Sequence, residues 1–221
     1  MDAWRREATA VALQGALIAR RLIPRRLRRP PGPGVEARGL VVFVHGLLAA
    51  GPVFDPLRRR VARELGLATL DITYGPHRHL ESVAAELQAR IEEVAEPHQP
   101  VDLVGHSLGG LIARWYLQQL GGRGRRLVTI ATPHAGTPVA RWVPGPMGRA
   151  LRPGSPWLRR LGDSVDIPHL VVVADGDRLV PPQSAAAVRD ARIERFPGLG
   201  HNEVLYDPRV QQTVVEALAG R

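Results

Sequence analysis

The sequence predicts an α/β fold, a layered and mostly parallel sheet built from β-α units. Two patterns carry that prediction. Short apolar, β-branched runs recur from about Gly39 onward, and segments with apolar residues at helical spacing separate them. A third observation is local. Val101, Leu103 and Val104 run into Gly105-His106-Ser107-Leu108-Gly109-Gly110, and Leu111, Ile112, Trp115 and Tyr116 follow at helical spacing. Strand, sharp glycine turn and helix thus meet at one serine.

A length of 221 residues suits one domain with a sizeable core. The absence of cysteine excludes disulfides and thiolate metal sites. The net charge of +9 comes entirely from arginine, since the chain has no lysine, and it favours anionic surfaces. No nucleic-acid module is present, so a lipid surface fits that charge better than DNA or RNA.

In order, residues 1–34 form a basic N-terminal helix and a Pro/Gly linker. Arg5, Arg6, Arg20, Arg21, Arg25, Arg26, Arg28 and Arg29 bracket the uncharged stretch Ala8–Ala19. That stretch falls short of the roughly 20 apolar residues a membrane span needs. It reads as a basic amphipathic helix that packs on the domain or lies on an anionic membrane, with a cleaved secretory signal as a less favoured reading. The expected location is therefore cytoplasmic or membrane-peripheral. Flotation with anionic liposomes, with and without residues 1–29, tests the membrane reading. Pro30-Pro31-Gly32-Pro33-Gly34 ends the segment.

The main domain spans 35–221. Gly39–Val44 reads as a central strand, and Phe54–Leu65 as a helix with Asp55 as its cap and a tolerated early Pro56. Leu67–Ile72 is a strand and Glu81–Ala95 an amphipathic helix. After the elbow come a strand at Arg126–Ala131, a segment rich in Pro, Gly and Trp to about 166, and a strand at Pro168–Ala174. A short helix is expected at Ser184–Asp190, a strand at Arg192–Phe196 and a closing helix at Pro208–Leu218.

The chemistry centres on Ser107. In the pattern G-x-S-x-G between a strand and a helix, the turn lifts the serine hydroxyl above the sheet as a nucleophile. A serine hydroxyl needs a base to take its proton, and a carboxylate must fix that base's tautomer. His201, in Gly198-Leu199-Gly200-His201-Asn202 after the last strand, is the expected base. His45 and His106 belong to turn motifs, His134 follows a strand beside the irregular segment, and His77, His79, His98 and His169 read as surface or loop residues. Asp175 and Asp177 are both candidates for the acid, and Asp177, one turn further on, reaches the histidine better. Two backbone N–H donors would hold the oxyanion, from Leu108 and from Leu47 in the turn after the first core strand.

From about Gly39 to Leu218 the chain resembles the α/β-hydrolase superfamily, in its bacterial lipase and esterase branch. LVVFVHGL, DLVGHSLGG, TIATPHAGTP, ADGDRLVPPQSA and GLGHNEVLYDP carry the resemblance, in that order. In related hydrolases two residues and then Val-Pro follow the acid, as after Asp177, which supports Asp177 over Asp175. The resemblance implies a three-layer sandwich with a small cap over about 133–166. Because the core begins near Gly39, a reduced sheet of about six strands is expected. Trp142, Met147 and Trp157 of the cap could line an acyl pocket, or simply pack the cap onto the sheet. The implied activity is hydrolysis of hydrophobic carboxylic esters through an acyl-enzyme on Ser107, with no metal or cofactor. An acyltransferase or thioesterase using the same triad, and a non-catalytic binding protein, are the competing readings. Oligomeric state is not legible.

Overall fold

The computed structural model describes residues 2–19 and 38–221. The linker Pro30–Gly34 and the arginines at 20, 21, 25, 26, 28 and 29 lie outside the described residues. Six strands form one sheet: β1 (Leu40–Val44), β2 (Ala68–Ile72), β3 (Val101–His106), β4 (Arg126–Ile130), β5 (His169–Ala174) and β6 (Arg192–Phe196). Their order is β2-β1-β3-β4-β5-β6, and every neighbouring pair is parallel.

The pattern of each strand explains its place. β1, β3 and β5 are buried along their whole length, as near-continuous apolar runs require when both faces are covered. Leu40, Val42 and Val44 of β1 face one core cluster, and Val41 and Phe43 face the other. Edge strands β2 (ATLDI), half-buried, and β6 (RIERF), mostly exposed, carry charges, which discourages pairing with another chain.

The first cluster lies under α3 (Leu80–Val94) and α4 (Leu108–Gln119), and the second under α2 (Asp55–Leu65) and α8 (Pro208–Ala219). Short helices α5 (Gly145–Leu151) and α6 (Pro156–Arg160) form the cap. The N-terminal helix α1 (Ala3–Ala19) packs on the 3-10 turns Gly51–Phe54 and Glu203–Leu205. None of the described helices is long and apolar enough to cross a membrane.

Three local expectations change. Asp55 does not cap α2: Phe54 takes the cap position without a side-chain bond, and Asp55 opens the first turn ahead of Pro56. The helix expected at Ser184–Asp190 is α7 (Pro182–Ala185), because Pro182 sets its first turn and Asp190, at φ 56°, is left-handed. His169 is not a surface residue. It heads β5, 4% exposed, because Thr129 of β4, its diagonal cross-strand neighbour, supplies a hydrogen bond inside the sheet.

In a parallel sheet all carboxyl ends share one edge. The chain leaves β1 for β2 on one side and returns to β3 on the other, so a crevice opens between the ends of β1 and β3. The loops after β1, β3, β5 and β6 therefore converge on that edge.

Candidate active site

Ser107 occupies the turn between β3 and α4 with φ 53° and ψ −124°, a costly conformation for a residue with a Cβ. Two anchors hold it there. Its N–H donates to Ile130 O at 2.8 Å, and its carbonyl accepts from Gly110 N–H at 3.1 Å. Tight glycine packing makes the turn sterically possible. A Cβ on Gly105 would lie 2.4 Å from Gly110 Cα, and one on Gly109 would lie 2.0 Å from Val44 O. Ser107 itself is half-buried.

The loop after β1 lies against this turn. A Cβ on Gly46 would fall 3.0 Å from Ser107 Cβ. His45 braces the loop: its Nδ1 lies 2.7 Å from Gly46 O, and its Nε2 accepts from Tyr74 N–H at 3.3 Å. That places the proton on Nδ1. Tyr74 stacks on the imidazole and donates its hydroxyl to His45 O, and burial raises its phenol pKa. Leu47, next in the loop, is partly buried. Leu108 is the first residue of α4, where an N–H has no partner within the helix.

The structure brings together the carboxylate and imidazole expected from the sequence. His201 Nδ1 lies 2.7 Å from Asp177 Oδ2, and both side chains are nearly covered. Asp177 Oδ1 accepts from Leu179 N–H and Val180 N–H, each at 2.8 Å, which fixes the carboxylate independently of the histidine. Asp175 points elsewhere and pairs with Arg195 of β6 at 2.5 Å. Gly176 N–H donates to Leu199 O at 2.9 Å, stitching the acid loop to the histidine loop.

Sequence reasoning placed His106 in a turn and missed its bond. Its Nε2–H donates to His201 O at 2.9 Å, and its ring lies 4.8 Å from the His201 ring. Burial, then the nearby His201, push its pKa down to about 3, so it stays neutral. The histidine loop thus rests on the residue preceding Ser107.

The cap residues serve packing more than the site. Met147 is fully buried in the core cluster with α4. Trp157 stacks on Trp115 of α4 at 4.6 Å, and Arg160 covers the other ring at 4.5 Å. Trp142 is 76% exposed under Arg141. Two of the three side chains expected at an acyl pocket therefore fasten the cap to the core. Among the described residues, no group of three or more His, Cys, Asp or Glu side chains could hold a metal ion.

A strained serine, an acid–imidazole pair and glycine-packed loops on one sheet edge agree with the comparisons. Residues 41–166 match the model of the Alpha/beta hydrolase family. The chain belongs to that family. This alpha/beta hydrolase is similar in fold to a monoacylglycerol lipase from Paleococcus ferrophilus (TM-score 0.67, 21% identity, 85% of this chain and 96% of that one). It is also similar to Est1E from Butyrivibrio proteoclasticus, solved with ferulic acid bound (TM-score 0.62, 17% identity, 82% and 90%). A third is the carboxylesterase CesB from Bacillus subtilis (TM-score 0.61, 17% identity, 85% and 86%). No curated protein matches the chain in sequence.

Proposed function

We propose that this hydrolase cleaves hydrophobic carboxylic esters through an acyl-enzyme on Ser107. The 2.7 Å contact between His201 Nδ1 and Asp177 Oδ2, on the sheet edge that carries Ser107, is the observation behind the reading. Asp177 accepts a hydrogen bond from Nδ1–H, which keeps the proton on that nitrogen and leaves Nε2 of His201 as the basic one. That nitrogen takes the Ser107 proton as Oγ attacks the ester carbonyl. The carbonyl oxygen becomes an anion held by the N–H groups of Leu47 and Leu108, a donor pair worth about 3 kcal/mol or more per donor. His201 then returns the proton to the leaving alcohol as the carbon–oxygen bond breaks. Water repeats the sequence on the acyl-enzyme and releases the acid.

The lipase and the carboxylesterase among the fold relatives support an ester as substrate. Hydrolysis of p-nitrophenyl esters of increasing acyl length tests the reading. The protein should turn them over with a chain-length optimum, and Ser107→Ala should reduce turnover by about 10³-fold or more. Undiminished turnover in that variant, or failure of a fluorophosphonate to label Ser107, overturns it.

A further inference from the structure

Helix α1 is seated on the histidine loop by its own inward face. Glu7, Ala10, Gln14 and Leu17 recur at helical spacing, and Ala10 and Leu17 are buried. The Glu7 carboxylate accepts from Asn202 N–H (2.9 Å), Asn202 Nδ2 (2.7 Å) and Glu203 N–H (3.1 Å). Gln14 Nε2 donates to Asn202 Oδ1 at 2.9 Å, and Arg6 bonds Glu203 and Gly198 O. Gly200 leaves room for this carboxylate: a Cβ there would lie 2.3 Å from Glu7 Oε2 and would push the side chain aside. The helix that begins the chain is therefore fixed one residue from the imidazole expected to act as base.

The outward side of this contact is a cleft. About 270 Å³ lies between Trp4, Glu7 and Val11 of α1 on one side and Arg178, Leu179 and His201 on the other. Its wall is mostly apolar, yet Trp4 (72%), Val11 (51%) and Leu179 (45%) remain exposed. Three large apolar side chains left uncovered around one cleft call for an apolar occupant. Catalytic chemistry says which part of the substrate that is. The acyl carbonyl must sit at the Leu47 and Leu108 donors, whereas the departing alcohol must sit against the imidazole that protonates it.

We propose that this cleft is the leaving-group subsite: Trp4, Val11 and Leu179 receive an apolar alcohol, aryl or short alkyl, of the ester attacked by Ser107. The proposal rests on the ester-hydrolase reading above. The volume falls just below the roughly 300–1,000 Å³ of sites for drug-sized ligands, so it suits one compact group rather than a long chain. Residues of α1 then select the alcohol, while the acyl group is selected elsewhere.

The test varies the two halves of the substrate separately in the full-length protein. Acetates of methanol, butanol, phenol and 2-naphthol vary the alcohol, and methyl esters from acetate to octanoate vary the acyl chain. Trp4→Ala and Val11→Ser remove the proposed wall, and Val94→Ser, an exposed apolar residue at the end of α3, is the control. The kcat/KM for 2-naphthyl acetate should fall about fivefold or more in both cleft variants, with a much smaller loss for methyl acetate and an unshifted acyl-length profile. Val94→Ser should behave as the unmodified protein. An equal loss across all alcohols, no loss, or a loss that tracks acyl length overturns the subsite. If Trp4→Ala fails to fold, Val11→Ser decides alone. Absence of turnover in the unmodified protein, or turnover that survives Ser107→Ala, overturns the hydrolase reading instead.

Discussion

Two rows of hydrogen-bonded histidines run through this molecule at similar depth, and they end in opposite groups. In one, Asp177 holds His201 at the carboxyl edge of the sheet. In the other, Arg114 of α4 lies 3.0 Å from His134 Nδ1, and His134 Nε2 lies 3.1 Å from Thr129 Oγ1. Thr129 Oγ1 in turn lies 2.9 Å from His169 Nε2. A carboxylate only accepts and a guanidinium only donates, so the end group sets every proton in its row. Asp177 forces a proton onto Nδ1 of His201 and leaves a basic nitrogen at the far end. Arg114 forces His134 Nδ1 to accept, so its Nε2–H donates to Thr129 and the Thr129 hydroxyl donates to His169 Nε2. The second row is oriented but has no base to offer. Two buried histidines beside a cation thus build structure, and one beside an anion can do chemistry.

The sharpest way to break this contrast is to remove the acceptor from the first row. Asp177→Asn keeps the size and can turn its amide N–H₂ toward His201, which moves the imidazole proton to the nitrogen that should be basic. We expect kcat for ester hydrolysis to fall about 10⁴-fold, with a melting temperature within a few degrees of the parent. Activity retained within about tenfold would mean that Asp177 does not set the tautomer.

In the second row the corresponding change should cost stability instead. Arg114→Met fills similar space without donors and leaves His134 Nδ1 and Gly162 O, the other acceptor of this guanidinium, without partners. Arg114 and His134 are both buried, so water cannot replace the donor to His134 Nδ1, whereas the exposed Gly162 can turn its carbonyl to solvent. Urea denaturation should show a loss of about 2 kcal/mol, with kcat altered far less than by Asp177→Asn. An unchanged unfolding midpoint would show that the guanidinium orients nothing.

The two rows also differ in how readable they were. Ser107, Asp177 and His201 follow the ends of β3, β5 and β6, each beside glycine or a turn, so strand order and local pattern were enough to single them out as candidates. The apolar runs of β1, β3 and β5 likewise gave the sheet its centre. Arg114, Thr129, His134 and His169 carry no such local sign. Their meeting depends on the register that sets Leu127 of β4 opposite His169, which places Thr129 on the same face. Glu7 was illegible for a similar reason: its partners Asn202 and Glu203 lie 195 and 196 residues away. The cap tryptophans were apolar enough for a pocket, and only the packing on α4 separates Trp157 from that role.

The smallest effect follows from the charge the second row excludes. Burial first, and Arg114 second, hold the His169 pKa down to about 3, and burial, Arg114 and His169 hold His134 well below its usual value. His106 is depressed likewise by burial and by His201. A histidine with a lowered folded pKa binds its proton more readily in the unfolded chain. Its contribution to stability is therefore complete above the unfolded pKa of about 6.5, and it is lost as pH falls toward the folded value near 3. Each such histidine steepens the loss by up to about 1.4 kcal/mol per pH unit below about pH 6. Urea midpoints measured from pH 7.5 to pH 4.5 should fall, and His169→Gln, which cannot take up a proton, should make that fall shallower by one proton's worth. An identical slope in the variant would mean that His169 is already charged in the folded protein, and the row would then have to contain a base after all.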